Sequence, residues 1–397
     1  MRVSVVTMAF PWPSETFAAR DFRALRARGA SITVHQLRRK LPSQDALAHE
    51  QGVADVPARH PSIPALAALL LPGGPGLGRI LRLALRIVRD RDTAWRERVR
   101  CLVLLPFAAQ VARRVMRERP DVLHLYWGHY PAMVTVLLRG RLPGTMRTMF
   151  LGAYDLERGL GVSRWAAAES RVVYTHAHAN VPALRAALGP DADIVVAHRG
   201  IDLSPYPPVD ELARTSRGPT VLSAGRLIPN KGVDRVLEAF ARILERHPEA
   251  RLRIAGDGPA RAELEAAVAR AGMAHAVTFL GWLGEEEVRR EMMAAKIFLM
   301  LSRKSGERLP NVVKEAMASG CVCVVSRSPG IDELIEDGVD GWVIDGDAPG
   351  PVAEVVGRHL GVERFEPMQE RAAGKIRRAF DAAAAAEAYL GRWREGG

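Results

Sequence analysis

The 397-residue chain is poor in cysteine, with only Cys101, Cys321 and Cys323. An odd count with no Cys-x-x-Cys pair argues against a disulfide framework or a structural zinc and fits a reducing cytoplasm. Long apolar runs are also missing. "IPALAALLLPGG" and "CLVLLPFAA" stop short of the roughly 18 residues needed to span a bilayer. The opening "MRVSVVTMAF" lacks the apolar core and small-residue cleavage site of a signal peptide and reads as a short strand. Aromatic residues make up 6% of the chain, and no surface motif interleaves them with basic residues, so nucleic acid is not expected as a partner. Lysine is scarce, six of 56 basic residues. The formal net charge of +11 favours an anionic partner, such as acidic lipid or a phosphorylated small molecule. The arginines run along the whole chain, so charge alone decides little.

What the chain does contain is one pattern used twice. β-rich runs at 2–7, 31–37, 121–126, 145–150, 171–176 and 193–198 alternate with amphipathic helical stretches. A Pro-rich break follows at 199–219. A second series then begins, with runs at 220–225, 251–256, 276–281, 297–302, 321–326 and 341–345. After Gly232, the residues Val233, Val236, Leu237, Phe240, Ile243 and Leu244 form one apolar stripe at steps of three and four. Repeated βαβ units predict two doubly wound α/β domains, 1–198 and 220–375, joined by a linker at 199–219. The alanine-rich end, 376–397, predicts a helix that crosses back to the first domain. Ligands of such sheets sit beyond the carboxyl ends of the strands, so chemistry is expected in the loops after strands, in a cleft between the two sheets.

Three loops stand out. In "SAGRLIPNKGVD", Arg226 and Lys231 flank a turn that feeds a helix N-terminus. Free N–H groups, the helix dipole and two cations suit a diphosphate, although two solvated cations on an ordinary strand–turn–helix fit the same residues. "AGDGP" at 255–259 offers glycines for close backbone approach, or merely a tight turn. In "GERLPNVVKEAMASG", Pro310 marks a helix start, so Asn311 and Val312 present free backbone N–H groups. Glu307 then lies on the loop and Glu315 inside the helix. Carboxylates beside a diphosphate suit the vicinal hydroxyls of a sugar or ribose. The alternative makes Glu307 a helix-dipole partner and pairs Glu315 with Lys314 or Arg303.

These residues carry a family resemblance. "GRLIPNKGVD" followed by "ERLPNVVKEAMASG" resembles the family-4 retaining glycosyltransferases of GT-B fold, in which two Rossmann-like domains face a cleft. Their Glu-(seven residues)-Glu signature is kept by Glu307 and Glu315. Arg308 stands where the family has glycine. "FPWPSETF" and "DVLHLYWG" are similar to the branch that builds exopolysaccharide and capsule. In "FLGAYDL" Asp155 is kept, but Leu151 or Gly152 fills the place of a family histidine.

The resemblance implies that Arg226 and Lys231 bind the diphosphate and stabilise it as a leaving group. It gives Glu307 the sugar hydroxyls and Glu315 the ribose. Gly225, Leu309, Pro310, Asn311 and Val312 would approach phosphate or sugar, and Leu280 and Gly281 the base. Ser14, Glu15, His124 and Asp155 fall on the acceptor side, with His129, His176 and His178 as further histidines. No metal and no cofactor beyond the nucleoside-diphosphate sugar are implied; Asp191, Asp193, Asp345 and Asp347 read as turn residues. The expected enzyme transfers a hexose with retention to a glycan or lipid-linked acceptor, in the cytoplasm or at the inner membrane face. An epimerase or phosphorylase of the same fold, or a non-catalytic nucleotide-sugar-binding partner, are the rivals. Finally, in "GRILRLALRIVRD" (78–90), Arg79, Arg82, Arg86 and Arg89 fall opposite Leu81, Ala84, Ile87 and Val88. That arrangement fits either an acidic membrane surface or a core helix whose arginines face water.

Overall fold

The computed structural model describes residues 1–13, 15–61, 73–303, 308–346, 348–362 and 365–395. Within these the chain divides into two compact units, one of residues 1–199 with 382–397 and one of 200–381.

The first unit is built on a parallel sheet of seven strands: β1 (Arg2–Thr7), β2 (Ser31–Gln36), β3 (Ala58–Arg59), β4 (Val122–Leu125), β5 (Met146–Phe150), β6 (Val172–Thr175) and β7 (Ile194–Val196). Their order is β3-β2-β1-β4-β5-β6-β7. Both faces are covered, so the strands carry unbroken apolar runs rather than alternation. Val3 and Val5 point to one core, with Phe22 of the helix Thr16–Ala27 and Trp393 of the helix Ala382–Glu395. Val6, Leu123 and Leu125 point to the other, with Ile80, Leu83 and Ile87 of the helix Leu77–Arg89 and Leu105 and Ala108 of the helix Trp95–Glu118.

The second unit repeats the plan with six strands: β8 (Thr220–Ala224), β9 (Arg251–Ala255), β10 (Val277–Gly281), β11 (Ile297–Met300), β12 (Val322–Ser326) and β13 (Trp342–Ile344). Their order is β10-β9-β8-β11-β12-β13. The helix Val233–Leu244 buries the expected stripe, with Val236 and Phe240 fully inside and only Leu244 part-exposed. In each sheet the winding reverses beside the first strand, between β1 and β4 and between β8 and β11. Ligands of open parallel sheets are held at such reversals.

Two boundaries differ from expectation. The Pro-rich stretch at 199–219 is not a free linker, because Ile201 bridges Asp381 and a short helix, Val209–Leu212, packs inside the second unit. The terminal helix is two helices, Pro367–Ala379 in the second unit and Ala382–Glu395 in the first, separated at buried Phe380. Alanine allows the second of these to lie close over helix Thr16–Ala27, with Tyr389 against Tyr174 at a ring separation of 4.2 Å.

His124 is corrected here. It lies in the middle of β4, 3% exposed, bonded to Thr148 Oγ1 at 2.9 Å and ringed by Tyr126, Tyr174, Tyr389 and Trp393. It is a core residue, closed in by these rings. Burial, with the charge of Arg199, pushes its pKa down to about 3. The unfolded chain therefore takes up the His124 proton at a pH where the folded chain does not. The stability contribution is complete above about pH 6.5 and is lost as pH falls toward 3, at up to about 1.4 kcal/mol per pH unit. Chemical denaturation of wild type and His124→Gln at pH 7, 6 and 5 should show the shallower decline in the variant. Parallel curves would overturn this account.

Candidate functional site

The carboxyl ends of β8, β9 and β11 meet in a set of close backbone contacts. Gly225 N–H donates to the Ala255 carbonyl at 2.9 Å, Leu227 N–H to Asp257 at 3.0 Å and Gly256 N–H to Gly281 at 2.7 Å. The glycines are required by space. A Cβ on Gly256 would stand 1.9 Å from the Gly225 oxygen, and one on Gly232 would stand 1.9 Å from the Leu301 oxygen. The "AGDGP" and "NKGVD" glycines thus let neighbouring loops stack directly on one another.

Gly232, at φ 65°, opens the helix Val233–Leu244 and is preceded by a short turn, Pro229–Lys231. The β11 loop is fastened to this turn. Arg303 N–H and Ser302 Oγ both donate to the Asn230 carbonyl, at 2.9 and 3.0 Å. The Arg303 guanidinium forms a two-pronged pair with Asp234, both bonds 2.6 Å. That hydrogen bond holds the Asp234 carboxyl below its usual range. The acid nearest the helix start is thereby committed to Arg303. Arg226 is exposed, pairs with none of the described residues, and stands beside exposed Gly225; Lys231 is half-buried.

The second helix of the site, Asn311–Ala318, begins as expected after Pro310. Its first backbone hydrogen bonds to Pro310 come from Val313 and Lys314, which leaves the N–H groups of half-exposed Asn311 and Val312 facing outward from the helix start. Glu315 is the fifth residue of this helix and half-buried. Lys314 is buried and turns back to Asn311 Oδ1 at 3.1 Å. Leu309, buried, holds a left-handed φ of 40°. Such a conformation costs a leucine of order 1–3 kcal/mol and collects at functional loops. Arg308 is half-buried, with its Nε lacking a hydrogen-bond partner among the described residues. Leu280 and Gly281 close β10, beside exposed Trp282. Glu307 and Ser14 lie outside the described residues, as does Asp347.

In the first unit, the loops after β4 and β5 form a second cluster. Asp155 is buried at the start of the helix Ala153–Arg158. Its Oδ2 accepts Gly152 N–H at 3.0 Å, and its Oδ1 lies 3.3 Å from His129 Nδ1. Glu15, half-buried, precedes the helix Thr16–Ala27 without a side-chain capping bond and accepts Trp127 Nε1–H at 3.2 Å. Burial raises the Glu15 pKa against the opposing pull of Trp127 and Arg199. Arg199, 11% exposed, lies over the rings of Phe17, Tyr126, Trp127 and Phe150 at 4.0–5.0 Å. Trp127 and Arg199 carry no motif; a lone arginine beside a Pro-rich break gives no signal of the four rings that enclose it. Among the histidines left open by the sequence, His129 is the one paired to the retained carboxylate, which places an imidazole beside Asp155 although Leu151 and Gly152 carry none.

Residues 210–371 match the family model described as glycosyl transferases group 1. The chain is 33% identical to the alpha-D-kanosaminyltransferase of Streptomyces kanamyceticus over 45% of its own length, and that match spans about half of the relative, 46%. It is 28% identical to the GDP-mannose-dependent alpha-(1-6)-phosphatidylinositol monomannoside mannosyltransferase of Mycobacterium tuberculosis over 80% of this chain and 77% of that one. The crystal structure of Anabaena Alr3699/HepE with UDP and glucose superposes over the full length of both chains, with a TM-score of 0.72 at 16% identity. The matched domain is thus that of glycosyl transferases group 1, and the fold of the chain is GT-B.

Two glycines test the stacked loops. Gly232 and Gly272 share a positive φ, 65° and 68°, but a Cβ on Gly272 meets nothing within 4 Å. Gly272→Ala should cost only the left-handed penalty, about 1–2 kcal/mol. Gly232→Ala adds the overlap with Leu301 and should cost clearly more, above about 3 kcal/mol. Urea unfolding of both variants checks the difference.

Proposed function

We propose that the protein is a retaining hexosyltransferase of family-4 type. It moves a sugar from a nucleoside diphosphate to a glycan or lipid-linked acceptor in surface polysaccharide or glycolipid synthesis. The observation that carries this reading is the paired loop system at the β8/β11 reversal. One loop brings Arg226 and Lys231 to a helix start, and the other opens the helix that carries Glu315. Breaking the bond between the anomeric carbon and the diphosphate oxygen builds negative charge on the leaving group. Fixed cations and N–H dipoles stabilise that charge without reorganising during the reaction. Arg226 is available for this role because Asp234, the nearby acid, is held by Arg303.

Glu315, on a rigid helix, holds the ribose hydroxyls, and Glu307 holds those of the sugar. Gly225 and Leu309–Val312 approach the phosphates and the sugar, and Leu280 and Gly281 border the base. The relatives' names support a nucleotide-linked donor and a membrane glycolipid or polysaccharide product: one uses GDP-mannose on a phosphatidylinositol mannoside, and another, in Erwinia amylovora, serves amylovoran biosynthesis. HepE has been crystallised with UDP-glucose. On the acceptor side, Glu15, Asp155 and the His129 that Asp155 positions are the candidate groups, with Ser14 from the sequence. Reaction without a resident metal or cofactor is part of the same proposal, as is a cytoplasmic setting.

A thermal-shift screen against UDP-, GDP- and ADP-sugars should single out one base, and transfer or slow hydrolysis of that donor should follow. Lys231→Ala and Arg226→Ala should each lower turnover about 100-fold or more, the size of loss of one oxyanion-type donor. Titration calorimetry with the product nucleotide separates the glutamates. Glu315→Gln should weaken binding, and Glu307→Gln should spare binding but impair turnover. Donor binding without transfer or hydrolysis would instead support a non-catalytic binding partner.

A further inference from the structure

The helices Leu77–Arg89 and Trp95–Glu118 each have two apolar faces. The inner face of the first, Ile80, Leu83 and Ile87, is core. Its outer face carries Leu77, Leu81, Leu85 and Val88, at steps of four, four and three. The second helix buries Cys101, Leu105 and Ala108 and presents Trp95, Val99 and Val103 outward, again at steps of four. These seven side chains are 47–63% exposed, and they are seven of the ten large exposed hydrophobic residues among the described residues. The two helices pack on each other, and Arg98 Nη1 donates to the Val88 carbonyl at 2.8 Å. The arrangement differs from the sequence expectation: Ile87 belongs to the core and Ala84 is part-buried, while Leu77 and Leu85 join the outer stripe. Neither a simple core helix nor a purely basic water-facing face accounts for it.

Charge decides what covers this surface. Residues 77–103 contain eight arginines and no lysine, against three acids. The acids are already engaged: Asp90 and Asp92 with Arg164, and Glu97 with Arg100 and Arg158. Arg82, Arg89, Arg91 and Arg96 are exposed around the stripes, while Arg86 is stacked on Trp165 at 3.9 Å. A second copy of this chain would bring the same uncompensated arginines against themselves, and like charges at short range repel. An acidic lipid surface offers the opposite charge together with an apolar layer for leucine and valine, and tryptophan favours the boundary between them.

We propose that the outer stripes of Leu77–Arg89 and Trp95–Val103 dock the protein reversibly on an anionic bilayer surface, with the arginines at the headgroups and the leucines below them. No described helix is long and apolar enough to cross a membrane, so the contact is one of lying on the surface. This docking goes beyond the transfer reaction and does not depend on it.

Vesicle flotation tests it with the full chain. Wild type should float with phosphatidylcholine vesicles containing phosphatidylglycerol and stay behind with phosphatidylcholine alone, and raised salt should weaken the binding. Leu81→Ser with Leu85→Ser should lower the bound fraction about tenfold at unchanged charge. Arg82→Glu with Arg89→Glu should abolish the preference for acidic lipid. Both pairs replace exposed residues, and circular dichroism checks that the fold is kept. Absence of wild-type binding to acidic vesicles at low salt overturns the proposal, as does unchanged binding by the leucine pair. A wild-type dimer in sedimentation that the leucine pair dissociates, without lipid binding, would assign the stripes to self-association instead.

Discussion

The loops after β8, β9 and β11 depend on side chains that are absent. Gly232 and Gly256 sit where any Cβ would run into a neighbouring carbonyl, at Leu301 and Gly225. Those contacts let the loops after β8, β9 and β11 stack backbone on backbone, without intervening side chains. The stacking in turn fastens Arg303 over the turn Pro229–Lys231 and ties up Asp234. A cation-bearing loop and a helix start can then share the reversal of a parallel sheet, with Asp234 held by Arg303 and Arg226 paired to none of the described residues. The glycines therefore act at the site through the distances they permit.

Much of the fold was legible because a buried parallel strand has few ways to look. Twelve runs of β-branched and apolar residues fall on twelve strands, and only the two-residue β3 (Ala58–Arg59) escaped notice. It is too short to have a period. The helix start at Pro310 and the stripe from Val233 to Ile243 were readable for the same reason, since local rules decide them. The partners of single residues were less so. Nothing local distinguishes His124, sealed among four aromatic rings, from His129, paired with Asp155. Neighbours spread over residues 126–393 decide the first, and one carboxylate 26 positions away decides the second. The alternation of Leu81 and Leu85 with Leu83 shows the same limit. A helical wheel reports that leucines surround the axis, but the sheet beneath decides which of them are core.

The two units handle charge in different ways. The loops after β8 and β11 keep Arg226 in the open and pair Asp234 with Arg303 in a part-exposed contact. The cluster after β4 and β5 takes its polar groups out of water, with Arg199 enclosed by aromatic faces, Asp155 buried against His129, and Glu15 made harder to ionise. Burial makes each of those groups sensitive to its partners, because in a low-dielectric setting an uncompensated charge is costly. A phosphate-bearing ligand calls for strong, accessible cations; a hydroxyl-bearing one calls for a few oriented groups that bulk water does not compete with.

The helix Ala382–Glu395 completes the first sheet although 182 residues of the second unit precede it. A ribosome delivers the chain in order, so β1 to β7 emerge with the face around Phe22, His124 and Tyr174 still lacking Tyr389 and Trp393. The amino-terminal unit cannot reach its final packing until residues 382–395 have been translated, whereas the second unit has all its strands before that. The usual vectorial order, first domain first, is thus inverted for this chain. A nascent polypeptide stalled or cleaved anywhere before residue 382 lacks the rings that cover His124 and Tyr174, a ready mark for chaperones and proteases.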